Sequence, residues 1–382
     1  MREALNKSYC PLPFTEIYVN NAGEYKLCCH AWKATGTFAV PEEVLPFDYF
    51  FSEEMEDIRD KLMQGEMLKD CTKCYELEEA GKTSYRHRAI DKHGLIDDVR
   101  DVSLKLRING SSCNLACYMC HPYNSSTRRK ELREIWGDDF DIMFSDHNKV
   151  KFTSNAKSMK RDVWNDTIAN INDNIHLVKE IHMTGGEPLQ LPRHWEWIYS
   201  IPEEHRKHIE LAYDSNITQL SYKNHHVLDL KNQFKRVHFG VSCDHFGEKL
   251  EYIRYPIDHK QFEENLKVII ENFSHSINVT VGLLNIDELD EIQDYYKKLG
   301  AKKVNPIHIV STPRALSIRN LPEQLKEKYR KKYPQHKFVI AELNRRRHNE
   351  NWYENMSEYM DKLYAHRGLD WRKVFDAESY RS

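Results

Sequence analysis

The sequence lacks long apolar runs, a charge imbalance, internal repeats and low-complexity segments. No apolar stretch approaches the ~20 residues of a membrane-spanning helix, and the first residues lack the apolar core of a signal peptide. The 56 basic and 59 acidic side chains give a formal net charge of -3, so the overall composition does not point to nucleic acid or a membrane surface. We therefore expect a cytoplasmic protein that binds neither a membrane nor nucleic acid.

The 382 residues are enough for one large domain with smaller additions around it. Nine of these residues are cysteines. Cysteines remain thiols in the reducing cytoplasm, so their grouping along the chain indicates metal ligands rather than a disulfide framework.

Three cysteines stand close together in the stretch from Asn109 to Pro122, which reads N-G-S-S-C-N-L-A-C-Y-M-C-H-P. Cys113, Cys117 and Cys120 have a C-x3-C-x2-C spacing, which differs from a ferredoxin run and from a zinc-finger knuckle. A loop this short can aim three thiolates at one four-iron cluster, but it supplies no fourth ligand. One iron is then open to a small molecule that carries an amine and a carboxylate. A zinc site or scattered buried cysteines are the alternatives.

This loop resembles the cluster site of radical S-adenosylmethionine (SAM) enzymes. The resemblance implies that SAM binds the open iron through its methionine end. An electron from the 4Fe–4S cluster would then release methionine and a 5′-deoxyadenosyl radical that abstracts hydrogen. Cluster and cofactor carry that chemistry, and the protein positions them. These enzymes often have an aromatic residue just before the last cysteine, whereas this sequence has Met119 there, preceded by Tyr118.

A glycine pair and a carboxylate follow the second predicted strand, in Thr184-Gly185-Gly186-Glu187-Pro188. The glycines allow the backbone to approach a ligand closely, and the carboxylate can accept hydrogen bonds from an ammonium group. By itself this is a common turn between a strand and a helix. The resemblance implies that Gly185, Gly186 and Glu187 bind the amino group of SAM.

A second polar group follows the fourth predicted strand, with Ser242 and Asp244 at its end and Arg254 further on. The resemblance implies that Ser242 and Asp244 face the ribose hydroxyls of SAM and that Arg254 meets its carboxylate. A helix-capping aspartate and a surface arginine are the alternative. Cys243 lies on the opposite strand face, which predicts that it packs in the core.

Apolar stretches alternate with helical ones after residue 100, which is typical of βα units around a parallel sheet. The predicted strands are Val102–Ile108, Lys179–Thr184, Glu210–Asp214, Arg236–Val241, Ser276–Gly282 and Lys303–Val310. The predicted helices are Ser126–Trp136, Asp162–Asn172, His194–Ser200, Asp258–Asn272 and Asp287–Leu299. Six strands match the α/β architecture of a partial (βα)6 TIM-like barrel, as in radical SAM cores. The first strand leads into the cysteine loop, as expected if the site lies at the carboxyl ends of the strands.

The amino-terminal part of the chain contains a further set of four paired cysteines, Cys10, Cys28, Cys71 and Cys74. A predicted β-hairpin, Ile17–Val19 with Tyr25–Leu27, brings the first two cysteines together. A predicted helix from Phe50 to Gln64 delivers the other two. Such a set fits either a closed zinc site or a complete four-iron cluster.

The spacing C-x12-G-x4-C, followed by C-x2-C, resembles the twitch module, a shortened relative of the SPASM domain of radical SAM enzymes. The resemblance implies an auxiliary 4Fe–4S cluster in a small α+β module, placed here before the barrel. Cys29, next to Cys28, is not expected to be a ligand.

Strand alternation predicts which side chains face the inside of the barrel. Leu104, Leu106 and Ile108 are expected to point outward, which turns Lys105 and Arg107 inward. The same alternation places further polar side chains inside: His182, His238, Asn278, Thr280 and His308. Buried charges need partners, so the substrate is expected to carry a carboxylate or phosphate. A purely structural network around Lys105 and Arg107 is the alternative.

The predicted domains are an iron–sulfur module over residues 1–100, a barrel over 101–312 and a helical extension over 313–382. The extension contains helices over Pro322–Tyr333 and Trp352–Arg367 and shows no catalytic signal. It is expected to pack against the barrel or to form a partner surface. The basic run Arg345-Arg346-Arg347-His348 is interpreted as a solvated helix face.

Together these features predict a radical SAM oxidoreductase or modifying enzyme with two 4Fe–4S clusters. Its electron donor is expected to be of the flavodoxin or ferredoxin type. The substrate is predicted to be a peptide or protein, otherwise a small polar metabolite. The alternative is a non-catalytic iron–sulfur or zinc protein that binds a partner on the same fold.

Overall fold

The computed structural model describes residues 7–20, 24–31, 44–107, 110–144, 161–345 and 351–375, without the side chains of residues 161–163. Several sequence predictions lie outside these ranges: the hairpin turn over residues 21–23, the end of the first barrel strand at Ile108, Asn109 of the cysteine loop, and Arg346–His348 of the basic run.

The centre of the fold is a mostly parallel sheet of eight strands. Their order across the sheet is β10-β9-β8-β5-β4-β3-β1-β2, and a separate small sheet pairs β6 with β7. The strands are β1 (Glu16–Val19), β2 (Tyr25–Lys26), β3 (Val102–Leu106), β4 (Val178–Met183), β5 (Glu210–Ser215), β6 (Ser221–Tyr222), β7 (His225–His226), β8 (Arg236–Ser242), β9 (Ser274–Val281) and β10 (Val304–Ile309).

Helices surround the sheet and form the carboxyl-terminal region. They are α1 (Leu12–Thr15), α2 (Pro46–Phe50), α3 (Glu53–Met63), α4 (Thr72–Glu79), α5 (Tyr85–His93), α6 (Ser126–Trp136), α7 (Phe140–Phe144), α8 (Arg161–Asp173), α9 (Pro192–Ser200), α10 (Glu203–Arg206), α11 (Val227–Leu230), α12 (Gly247–Ile253), α13 (His259–Asn272), α14 (Leu289–Lys298), α15 (Glu323–Lys332), α16 (Lys337–Leu343), α17 (Trp352–Arg367) and α18 (Trp371–Val374). None of the helices in the described ranges is both long and apolar enough to cross a membrane.

The predicted α/β class and partial barrel are confirmed, and each of the six predicted strands corresponds to a strand of the central sheet. Strand β3 shows the alternation of buried and exposed side chains on which the strand prediction depends. Leu104 and Leu106 are fully buried, whereas Lys105 between them is partly exposed on the other face.

The predicted hairpin of β1 and β2 is also confirmed, and β1 makes a further strand pairing that the sequence did not predict. Strand β1 pairs in parallel with β3, with Ile17 opposite Leu104 and Val19 opposite Leu106. The amino-terminal segment therefore extends the barrel sheet by two strands. Pairing between strands so far apart in sequence leaves no local signal.

The helix predicted from Phe50 to Gln64 is wrong as one element, because the chain forms α2 and α3 there. Ser52 begins the second helix as its N-cap, with its hydroxyl accepting from the backbone N–H of Met55 at 3.4 Å. The helical spacing of apolar residues continues across this break, so the sequence pattern did not reveal two helices.

The chain divides into two compact units. Unit 1 comprises Met1–Gly110, Asn155–Ala212 and Asp229–Val237, and unit 2 comprises Ser111–Ser154, Tyr213–Leu228 and His238–Ser382. Within unit 1, α1 packs on α3 and α2 packs on α8. Within unit 2, α17 packs on α6 and α18, and α18 packs on α12. The carboxyl-terminal helices are thus built into the core of unit 2.

Candidate functional site

In unit 2, the cysteine loop is tied to the start of helix α6. Ser125 is the N-cap of α6, accepting from the N–H of Arg128 at 3.0 Å, and its hydroxyl donates to the carbonyl of Leu115 at 2.6 Å. The hydroxyl of Thr127 donates to the carbonyl of Cys113 at 2.5 Å. The residues that cap the helix therefore also hold the loop, which explains why the helix follows the cysteines so closely.

The loop is also fixed along its backbone by the end of α12 and the chain that follows it. The N–H of Ala116 donates to the carbonyl of Tyr255 at 2.6 Å, and the N–H of Tyr118 donates to that of Ile253 at 3.0 Å. Leu115, Ala116 and Tyr118 are fully buried. Three apolar anchors and two backbone bonds give the cysteines a defined position.

The three loop thiols lie within electrostatic reach of one another. Burial, together with Cys117 and Cys113, raises the pKa of the Cys120 thiol. Two N–H groups approach the sulfurs: Asn216 Nδ2 lies 3.9 Å from Cys113 Sγ, and Arg254 Nη1 lies 3.9 Å from Cys117 Sγ. Thiolates beside such donors fit an iron–sulfur cluster, whose potential depends on contacts to its sulfurs.

Arg254 and Asp244, two of the predicted SAM contacts, are paired with each other. Arg254 Nη2 lies 2.8 Å from Asp244 Oδ2, and both side chains are buried. Asp244 also accepts from the backbone N–H of Thr280 at 2.6 Å. Burial raises the pKa of Asp244, although Arg254 acts in the opposite direction. The carboxylate orients the guanidinium beside Cys117.

Ser242 ends strand β8 on the same face as Asn278 of β9, its direct neighbour across the sheet. Gly240 shares this face, and a Cβ there would lie 2.5 Å from Asp214 Oδ1 and 2.8 Å from Asn278 Nδ2. Only glycine leaves room for these side chains. Cys243 is fully buried and contacts the hydroxyl of Tyr296 at 2.9 Å, which confirms that it packs in the core.

In unit 1, the predicted SAM-amine motif follows β4. Gly185 and Gly186 have φ angles of 83° and 60°, the left-handed region that favours glycine. Glu187 is buried, and its Oε1 accepts from the N–H of Leu189 at 3.1 Å. The turn therefore requires both glycines for its conformation.

Lys105 and His182 lie on one face of unit 1, as direct neighbours on β3 and β4. Lys105 Nζ lies 3.4 Å from His182 Nδ1 and forms an ion pair with Glu180. Burial favours the protonated form of Glu180, yet Lys105 and Lys92 hold its pKa at about 2. The charge of Lys105 is therefore balanced within the protein.

Two other side chains of unit 1 each have one buried polar atom that is left unsatisfied. Nε of Arg107 and Oε1 of Glu16 are buried without a hydrogen-bond partner among the residues that the structure describes. Glu16 lies on β1, opposite Ser103. Burial raises the pKa of Glu16 to about 7, although Lys105 acts against it. Glu16 escaped the sequence analysis because the pairing of β1 with β3 was not predicted.

The four amino-terminal cysteines also belong to unit 1, and Cys10 is the centre of the group. Cys10 is buried and packs in one cluster with Leu12, Ala89 and Cys28. Burial raises the pKa of the Cys10 thiol, and Cys71 and Cys74 raise it further.

Cys28, Cys71 and Cys74 thus lie within electrostatic reach of Cys10. The described ranges contain no group of three His, Cys, Asp or Glu side chains arranged to hold a metal ion.

Three residues around the cysteine loop escaped the sequence analysis. Arg128 and Glu131 of α6 and Arg367 of α17 form a buried network next to the loop. The sequence offered a weak signal for Arg128, which follows the loop directly. It offered none for Arg367, whose partners lie more than a hundred residues away.

The cysteine loop lies in a region that is similar to known proteins. Residues 110–299 match the Radical SAM superfamily. Among solved structures, Streptococcus suis SuiB bound to S-adenosylmethionine is 15% identical, with a TM-score of 0.41 over 83% of this chain and 66% of that one. Native anSMEcpe with bound AdoMet is 17% identical, with a TM-score of 0.35 over 52% of this chain and 49% of that one. The same protein with AdoMet and a peptide is 16% identical, with a TM-score of 0.38 over 54% and 51%.

This chain spans about half the length of the anSMEcpe structures that it matches. A search of curated proteins returned no match. The residues that match the Radical SAM superfamily, just under half of the chain, include Cys113, Cys117 and Cys120.

Proposed function

We propose that this protein is a radical SAM enzyme that oxidises or otherwise modifies its substrate by hydrogen abstraction. Cys113, Cys117 and Cys120 would hold a 4Fe–4S cluster. The observation that carries the proposal is that these three thiols lie within the residues that match the Radical SAM superfamily, where Cys113 and Cys117 act electrostatically on the Cys120 thiol. When bound, the cluster supplies the electron that splits SAM into methionine and a 5′-deoxyadenosyl radical.

The residues around the thiols have separate roles in this proposal. Asn216 and Arg254 direct N–H groups at two of the sulfurs and so offset part of their negative charge. Arg254, oriented by Asp244, also meets the carboxylate of SAM. Ser242 contacts the ribose, and the turn of Gly185, Gly186 and Glu187 binds the amino group.

We further infer that Cys10, Cys28, Cys71 and Cys74 hold an auxiliary 4Fe–4S cluster of the twitch type. The grouping of the thiols around Cys10 supports this assignment. Such a cluster would accept an electron from the substrate radical that forms on hydrogen abstraction, or relay that electron. Its place before the barrel in sequence agrees with the pairing of β1 and β3, which draws the amino-terminal segment into the main sheet.

The substrate is proposed to be a peptide or a small polar molecule with a carboxylate or phosphate. Arg107 supports this more directly than Lys105. Within the described residues, its buried Nε has no hydrogen-bond partner, whereas Lys105 is paired with Glu180. A charged donor left without an acceptor is costly. A bound anion would remove that cost.

The proposed electron donor is an acidic protein of the flavodoxin or ferredoxin type in the cytoplasm. An open concavity of about 350 Å³ on α6 is lined by Ser126, Arg129, Lys130, Arg133 and Glu134. Its three cations face one carboxylate, and Ser126 contacts the backbone of Cys113. A basic surface next to the cysteine loop suits a transient, electrostatically steered electron-transfer encounter.

The proposal is tested by measuring 5′-deoxyadenosine after anaerobic reconstitution with iron and sulfide and reduction with dithionite. Formation of 5′-deoxyadenosine from SAM supports the enzyme. A protein that binds iron or zinc but never cleaves SAM would instead be the non-catalytic interaction protein.

A further inference from the structure

Two buried arginines from different helices reach the same part of the cysteine loop. Arg128 of α6 donates from Nη2 to the carbonyl of Tyr118 at 2.9 Å. Arg367, the last residue of α17, donates from Nη2 to the carbonyl of Ala116 at 2.6 Å. These two carbonyls belong to the residues on either side of Cys117, so the arginines hold the backbone around that cysteine by hydrogen bonds.

Glu131 joins the two arginines. Its Oε1 accepts from Arg367 Nε at 2.6 Å, its Oε2 accepts from Arg367 Nη2 at 2.9 Å, and Oε2 also pairs with Arg128 Nη1. The side chains of Arg128 and Arg367 are 0% exposed, and that of Glu131 is 6% exposed. Every member of the group is therefore removed from water.

Counted over the described residues, the group carries an unbalanced positive charge. Two guanidinium groups face one carboxylate, and the neighbouring pair of Arg254 and Asp244 is neutral by itself. One positive charge is left over beside Cys117, and burying it is costly unless a negative group lies close by. A doubly positive four-iron core on three thiolates has one net negative charge, which would balance it.

We propose that Arg128, Glu131 and Arg367 form a clamp through which the carboxyl-terminal helix α17 holds the cysteine loop and raises the reduction potential of its cluster. Arg128 and Arg367 are positioning residues, because they act through the loop backbone and through charge. The effect on the potential rests on the proposed function, whereas the hold on the loop does not.

The hold on the loop is tested by hydrogen exchange of the full-length protein, before and after cluster reconstitution. Arg367→Gln removes charge-assisted hydrogen bonds, so the amides of Ala116 and Tyr118 are expected to exchange roughly ten- to hundredfold faster. The control is Arg372→Gln, which alters an exposed pair with Asp361 in the same region. Unchanged loop exchange in Arg367→Gln, with the control also unchanged, overturns the hold.

The charge effect is tested by titrating the reduction potential of the loop cluster, followed by electron paramagnetic resonance. Arg367→Gln removes a positive charge and should lower the reduction potential. Arg367→Lys keeps the positive charge and should leave the reduction potential close to that of the parent protein, while still loosening the loop. Glu131→Gln removes the negative charge and should shift the potential upward. Shifts of opposite sign exclude a general loss of structure. The redox role would be overturned if Arg367→Gln and Glu131→Gln had the same reduction potential as the parent protein, or if both shifted it in the same direction.

The two parts of the proposal fail in distinguishable ways. If no cluster forms at Cys113, Cys117 and Cys120, the proposed function is wrong, yet loop exchange in the cluster-free protein still tests the clamp. If the cluster forms and SAM is cleaved while Arg367→Gln changes neither measurement, the clamp alone is wrong.

Discussion

Asp244 orients Arg254 beside a cysteine of the loop: Oδ2 and Nη2 lie 2.8 Å apart, and Nη1 of the same guanidinium lies 3.9 Å from Cys117 Sγ. The sequence predicts separate SAM contacts for these two side chains. The structure makes each the charge partner of the other. Any change to one residue therefore acts on the other as well as on a bound ligand.

This pairing predicts an asymmetric effect on stability. Arg254→Met leaves the Asp244 carboxylate buried without its cation and should lower the free energy of unfolding by about 3–5 kcal/mol. Adding Asp244→Asn should restore part of that loss, because the uncompensated charge disappears. Chemical denaturation of the single and double variants measures both. A single variant as stable as the parent protein would contradict the pairing.

Glu180 predicts a stability difference that depends on pH. Its pKa is held at about 2, well below the ordinary value, so its ionised form stabilises the fold at neutral pH. That contribution, about 3 kcal/mol by linkage, is present above pH ~4.5 and is lost as the pH falls toward the folded pKa.

The free energies of unfolding of the parent protein and Glu180→Gln should therefore differ at pH 7, and this difference should shrink as the pH falls from about 4.5 toward 2. Glu203→Gln serves as the control, because it alters only an exposed helix pair with Lys207. A difference for Glu180→Gln that stays constant over this range would be incompatible with the depressed pKa.

The auxiliary cluster predicts a specific loss of iron. Reconstituted protein should hold about eight irons in two clusters, and Cys71→Ala with Cys74→Ala should remove about half of them. Some SAM cleavage should persist in this variant, because Cys113, Cys117 and Cys120 are untouched. Iron analysis with Mössbauer spectroscopy distinguishes the outcomes. Tightly bound zinc in place of the second cluster would rule out the auxiliary assignment.

The basic surface of α6 predicts a dependence on the electron donor. Reversing its charges, with Arg129→Glu, Lys130→Glu and Arg133→Glu together, should slow SAM cleavage driven by a reduced flavodoxin roughly ten- to a thousandfold at low salt. Cleavage driven by dithionite should stay unchanged, because a small reductant needs no docking surface.

The matched control reverses three exposed lysines of α13 and α15, which are Lys260, Lys267 and Lys331. This control should leave both reactions unchanged. Equal losses with flavodoxin and dithionite in the α6 variant would mean that the surface supports the cluster itself rather than the donor.

The sequence predicted features whose signal is local. The cysteine spacing, the glycine turn at Gly185 and the alternation along β3 each depend on a few consecutive residues. The sequence could not predict contacts between distant segments. The pairing of β1 with β3, the unsatisfied Glu16 and the reach of Arg367 to Ala116 depend on tertiary structure alone. The resemblance implies separate SAM contacts for Asp244 and Arg254, the ribose and the carboxylate, and so gives no indication that the two side chains pair with each other.

The role of the three loop cysteines is tested by the yield of 5′-deoxyadenosine and methionine from SAM under dithionite reduction. It compares the parent protein with a variant in which Cys113, Cys117 and Cys120 are all changed to Ala. We expect cleavage by the parent protein and none by the variant, which should also lose about half of the ~eight irons. Continued formation of 5′-deoxyadenosine by the variant would contradict the assignment of these three cysteines.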